Sequence, residues 1–95
     1  MKKYDSIKQA YTKAFEAVEM LELKYGPEML YAYAFVQFNV GIKDYLDGKF
    51  TEEEDEEISN LAILAAIAID EFAEKFSIDT KEVLRKYGIV EDKFG

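Results

Sequence analysis

Apolar residues recur along most of the chain with the period of an α-helix. Between Asp5 and Tyr25 the spacings alternate between four and three, at Ile7, Tyr11, Ala14, Val18, Leu21 and Tyr25. Residues so spaced share one face of a helix. The pattern predicts an amphipathic helix over residues 5–25, about 30 Å long. Either Asp5 or Ser6 is suited to cap its N-terminus.

The second segment, residues 27–47, is apolar on two sides. Pro27 suits the first position of a helix and follows Gly26, so a tight antiparallel turn is expected there. One apolar seam contains Leu30, Ala34, Phe38, Gly41 and Tyr45, and the opposite seam contains Met29, Tyr33, Val36 and Val40. Two seams favour neighbours on both sides, so we expect this helix to be the central element. Gly41 indicates a close approach of another helix.

Two further helices are predicted in the C-terminal half. Thr51 and Glu54 form a capping box that opens a helix over residues 52–76, and Asp79 and Glu82 open a short one over residues 80–87. Residues 89–95 follow as a tail. We expect the short helix to dock on the end of the third, near Phe72 and Phe76, because so few residues do not form a stable isolated helix.

These elements predict an all-α fold, an antiparallel bundle of three long helices with a short C-terminal fourth. The 95 residues are enough for one domain, and 49% of them are apolar. The chain contains neither Cys nor His, which excludes thiolate, zinc-finger and imidazole chemistry. Nor does the turn Asp47–Gly48 match a calcium loop, because Lys43 and Tyr45 occupy two of its ligand positions. We therefore expect no enzyme activity, catalytic residue, metal or cofactor.

Negative charge is concentrated on the third helix. The formal net charge is −8, and residues 51–76 alone carry nine acidic residues and one lysine. In its first turns Glu52, Glu53, Glu56 and Glu57 form an acidic surface that stabilises the positive end of the helix dipole and favours solubility. An alternative function for this surface is to bind a basic partner. Direct nucleic-acid binding is not expected, because the chain has a single arginine and no basic cluster.

A candidate partner-binding surface lies on the same helix. Ile63 and Ile67 project away from the predicted core stripe. Their neighbours on that face are Asn60, Asp70, Glu71 and Glu74. Apolar residues on an otherwise acidic face suggest a contact surface, and the spare seam of the second helix suggests another. The alternative is that the first helix covers that seam and the fourth covers part of the third.

The leading hypothesis is a small acidic interaction module that binds a protein partner and forms a homodimer. One alternative is an acidic inhibitor or nucleic-acid mimic that blocks a basic, nucleic-acid-binding protein. Another is a binder of a small apolar ligand between the helices, in a site that would contain Tyr11, Tyr31, Phe35, Phe38 and Gln37.

The sequence also bears on location. The first six residues show no apolar signal-peptide core. The longest uncharged stretch, residues 29–42, is shorter than the roughly 20 residues that a membrane-spanning helix needs. We therefore expect a cytoplasmic protein that makes no membrane contact.

Overall fold

Four α-helices follow one another in the computed structural model, which describes residues 3–19 and 26–89. They are α1 (Lys3–Glu19), α2 (Pro27–Leu46), α3 (Glu52–Lys75) and α4 (Thr80–Lys86), and this part of the chain contains no strand. The predicted all-α bundle of three long helices and a short fourth is confirmed. None of these helices is long and apolar enough to cross a membrane.

Contacts along α1 show how the long helices are oriented. At the start of α1, Lys3 pairs with Asp47 just after the end of α2, and farther along Tyr11 packs on Gly41. α1 and α2 are therefore antiparallel. The short turn after α2 reverses the chain again, so α3 runs antiparallel to α2 and parallel to α1.

The central helix of the bundle is α1, and the expectation that α2 would be central is wrong. α1 packs extensively on both α2 and α3, whereas α2 and α3 contact each other less. Three of its six buried residues are alanines, whose small side chains allow two neighbours to approach closely; the six are Ile7, Ala10, Tyr11, Ala14, Ala17 and Val18. α2 buries only one of its two apolar seams.

The buried residues form two clusters. One, at the end of the bundle near the start of α1, joins Ile7, Tyr11, Ile58 and Ala65. The other is larger and includes Ala14, Ala34, Ile69, Phe72, Val83 and Leu84. Because the larger cluster draws on all four helices, α4 is part of the core.

α4 docks on its own bundle, as predicted. Val83 and Leu84 are almost fully buried in the same cluster as Phe72, and Phe76 and Ile89 pack against that cluster. The tail beyond Ile89 lies outside the described residues.

The predicted helix caps are confirmed for α3 and half formed for α4. The Glu54 amide donates to Thr51 Oγ1 at 3.1 Å, and the Thr51 amide donates to Glu54 Oε1 at 3.0 Å. In α4 the Glu82 amide donates to Asp79, but the Glu82 carboxylate pairs with Arg85 instead of returning to the cap.

α2, α3 and α4 begin at the expected residues, and each ends one residue earlier than expected. α1 already includes Lys3 and Tyr4, whose side chains bind Asp47 and Glu57, whereas the sequence pattern places its start at Asp5. The predicted end of the first helix, residues 20–25, lies outside the described residues.

Candidate functional site

The second apolar seam of α2 lies on the surface. Met29, Tyr33, Val36 and Val40 are each between 38% and 46% exposed, on the side of α2 opposite its buried residues Tyr31, Ala34 and Gly41. α1 packs on the buried side and does not cover the seam, contrary to the alternative considered for it. We refer to these four exposed residues as the α2 seam.

The spacing and the surroundings of the α2 seam are both regular. Its members are four, three and four residues apart, the spacing at which two helices pack along a shared seam. They span three turns, about 16 Å of helix. No charged residue occurs between Met29 and Ile42. The α2 seam is thus an apolar strip with neutral edges on an otherwise acidic protein.

A second apolar surface joins α3 to α1. Ile63, Leu64 and Ile67 are each more than half exposed and adjoin one another on α3. Leu64 also borders a groove of about 200 Å³ between the two helices, which Tyr11, Thr12, Phe15 and Leu61 line as well. Phe15 is itself 37% exposed at this groove. We call Phe15, Ile63, Leu64 and Ile67 the α3 patch.

Polar and acidic side chains surround the α3 patch. Asn60, Asp70 and Glu74 are all exposed, as the sequence predicted for the neighbours of Ile63 and Ile67. Glu71 is exposed beside them. The only cation on α3 is Lys75, in its last turn and over the ring of Phe76. The patch therefore combines an apolar centre with a negatively charged rim.

The six carboxylates at the start of α3 fall into two groups. Glu54 caps the helix, Asp55 accepts a hydrogen bond from the Tyr45 hydroxyl, and Glu57 pairs with Lys8 of α1 at 2.9 Å. The other three are exposed and pair with no described residue: Glu52, Glu53 and Glu56. Four of these carboxylates were predicted to form an acidic surface. One of the four, Glu57, instead links α3 to α1.

Glu57 forms a small polar cluster with two residues of α1. Hydrogen bonds from Lys8 and then from Tyr4 hold the pKa of Glu57 below its usual value. The same bonds raise the pKa of Lys8 and of Tyr4, because proton loss from either donor would break its bond to the carboxylate. All three groups are solvent-accessible, and they fix α1 against α3 at the end next to the groove.

The aromatic residues considered for a ligand site pack on one another. The rings of Tyr11 and Phe38 are 5.2 Å apart, and those of Tyr31 and Phe35 are 6.1 Å apart. Tyr11 and Tyr31 are buried, whereas Gln37 is half-buried. The groove described above lies elsewhere, between α1 and α3, and has only Tyr11 in common with that set.

These surfaces are not accompanied by a metal-binding cluster in the described ranges. Within residues 3–19 and 26–89, no three or more acidic side chains are grouped so that they could hold a metal ion.

Two members of the α3 patch were not identified from the sequence. The patterns that single out Ile63 and Ile67 include neither Phe15 nor Leu64. Leu64 lies three residues after Leu61 and seven after Glu57, on the edge of α3 that faces α1. That spacing was the available signal, but it becomes informative only once α1 and α3 are known to be neighbours.

Comparison with family models, with curated proteins and with solved structures gives no match for this chain.

Proposed function

We propose that this protein is a non-enzymatic interaction module that pairs with a second copy through the α2 seam and binds a protein partner elsewhere. The observation that carries the proposal is the α2 seam itself, in which Met29, Tyr33, Val36 and Val40 are exposed at the spacing of a helix-pairing seam. Scattered apolar residues are normal on a protein surface, but a continuous strip with one regular period is typical of an interface.

The charge distribution supports a second copy as the occupant of the α2 seam. Two chains with a net charge of −8 repel each other, so a homodimer requires a surface remote from the excess charge. α3 carries that excess, whereas residues 29–42 are uncharged. Pairing along the α2 seam therefore buries apolar area with no like charges in contact.

We infer an antiparallel arrangement of the two α2 helices. The four–three–four spacing reads the same in both directions, so Met29 pairs with Val40 and Tyr33 with Val36 of the second copy. α3 begins just after the end of α2, where the Tyr45 hydroxyl binds Asp55. An antiparallel pair places the two acidic starts of α3 at opposite ends of the dimer, whereas a parallel pair would bring them together.

The test is the mass in solution over a range of concentrations. Because three turns of helix make a small interface, we expect reversible pairing in the micromolar range or above. Light scattering after size-exclusion chromatography should show a rise from the 11.0 kDa monomer toward twice that mass. Val36→Glu should remain monomeric with unchanged helicity.

Leu46→Glu provides the matched control. Leu46 is also an exposed apolar residue of α2, but it lies off the α2 seam, so this variant should dimerise like the parent chain. A parent chain that stays monomeric at millimolar concentration contradicts the proposal. Equal effects of the two substitutions would also contradict it.

A further inference from the structure

The α3 patch and its acidic rim define the chemistry of a partner. From this arrangement we propose that the patch binds an amphipathic helix that carries lysine or arginine on both sides of an apolar stripe. The inference rests on the proposed interaction function and concerns a surface separate from the α2 seam.

The apolar centre of the α3 patch has the shape of a docking site for one anchoring side chain. The groove between α1 and α3 holds about 200 Å³, and its walls are formed largely by the carbon atoms of Tyr11, Phe15, Leu61 and Leu64. A volume of this order admits one leucine or phenylalanine side chain. Ile63 and Ile67 extend the apolar surface along α3, so further apolar residues at helical spacing would contact them.

The rim of the α3 patch excludes a second copy of this chain. If two α3 helices paired antiparallel about the midpoint of Ile63 and Ile67, Asn60 would face Asp70 and Glu56 would face Glu74 of the other copy. A parallel pair would place each acidic residue beside its own equivalent. Both arrangements bring carboxylates together, and like charges directly opposed at an interface are unfavourable.

A basic helix reverses the sign of that interaction. Asp70, Glu71, Glu74 and Glu56 are exposed, and none of them pairs with another described residue. Their charges are therefore available to a partner. Lys8 of α1 is already paired with Glu57. Lysine or arginine residues flanking an apolar stripe would therefore find unpaired carboxylates along the α3 patch.

Three synthetic helical peptides of about 18 residues test the inference. The first carries leucines at helical spacing with lysines on both flanks, the second replaces every lysine with glutamate, and the third scrambles the first so that no apolar face remains. Binding is measured by fluorescence anisotropy at low and at high salt. We expect the first peptide alone to bind, and added salt to weaken its binding.

Substitutions in this protein locate the binding surface. Ile63→Ser together with Ile67→Ser should weaken binding of the basic amphipathic peptide by about tenfold or more, because buried apolar contacts are lost. Met29→Ser together with Val36→Ser should leave that affinity unchanged, while it abolishes dimerisation. The two pairs of substitutions thus separate failure of this inference from failure of the proposed dimer.

Two outcomes would overturn the inference. One is unchanged affinity after the Ile63 and Ile67 substitutions. The other is equal binding of the scrambled peptide, with a loss of affinity when Glu52, Glu53 and Glu56 are changed to Gln. That second result would favour the acidic-inhibitor function, in which charge alone binds a basic protein. Glu57 is left out of this set because it links α3 to α1.

Discussion

The ring of Tyr11 lies against the backbone of Gly41, so closely that a Cβ atom at position 41 would be 2.6 Å from Tyr11 Cε1. Two non-bonded carbon atoms do not approach each other that closely. Tyr11 is buried, and the centroid of its ring is 5.2 Å from that of Phe38. The ring therefore has little room to move. The missing side chain of Gly41 is therefore what allows α1 and α2 to pack at this separation.

Gly41→Ala should destabilise the protein. In a helix interior, alanine is more stabilising than glycine by about 1 kcal/mol of helix propensity. Overpacking against a buried ring costs roughly 1–3 kcal/mol, so we expect the free energy of unfolding to fall on balance. Chemical denaturation measures it. In a Tyr11→Leu background the same change should be neutral or stabilising, and an equal loss in both backgrounds would contradict the contact.

Burial also makes Tyr11 sensitive to alkaline pH. Desolvation, with a smaller effect of nearby Tyr45, raises the pKa of Tyr11 to about 12. An unfolded tyrosine loses its proton near pH 10. The contribution of Tyr11 to stability is therefore complete below about pH 10 and is lost as the pH rises toward 12. Thermal melts from pH 9 to 11.5 should show a smaller decline for Tyr11→Phe than for the parent chain.

The pairing of Glu57 with Lys8 predicts an effect at acidic pH. The pKa of Glu57 is lower in the folded protein than in the unfolded chain, where it is near 4.3. Glu57 therefore contributes its full share of stability above the unfolded pKa. That share is lost as the pH falls through the folded pKa. Glu57→Gln should lower the melting temperature at pH 7 and have no effect at pH 2. Glu71→Gln, on the same helix but unpaired and remote from its N-terminal turns, is the control and should not lower the melting temperature at either pH. A Glu57 effect that persists at pH 2 would exclude the ion pair as its cause.

Removal of α4 should weaken the whole bundle. Val83 and Leu84 lie in a core cluster with Phe72, which deletion of residues 77–95 would expose. Loss of one or two kcal/mol lowers the melting temperature of a domain this size by several degrees. An unchanged melting temperature after truncation would show that α4 contributes nothing to the stability of its own bundle.

Much of the architecture followed from periodicity, turn residues and caps. Thr51 and Glu54 marked the start of α3, and Gly41 marked a close helix contact, because each has a local physical requirement. Which helix lies in the centre did not follow. Two apolar seams on α2 suggested two neighbours, but the alanines at positions 10, 14 and 17 make α1 the helix that two others can approach.

The candidate surfaces were predictable in part. Ile63 and Ile67 stood out because their neighbours are acidic. The α2 seam was visible as a spare apolar face, yet the sequence could not show whether another helix of the same chain covers it. Phe15 and Leu64 depend on a contact between α1 and α3 that no local pattern encodes.

Disulfide trapping tests the central claim, an antiparallel dimer through the α2 seam, most directly. The chain has no cysteine, so each introduced one is unique. In the proposed dimer Met29 lies beside Val40 of the second copy, whereas the two copies of Met29 are about 16 Å apart, beyond the reach of a disulfide. A mixture of Met29→Cys and Val40→Cys chains should therefore form the mixed disulfide far faster than Met29→Cys chains cross-link alone. Equal rates in the two samples, or rates no higher than that of a Leu46→Cys control, would contradict the account.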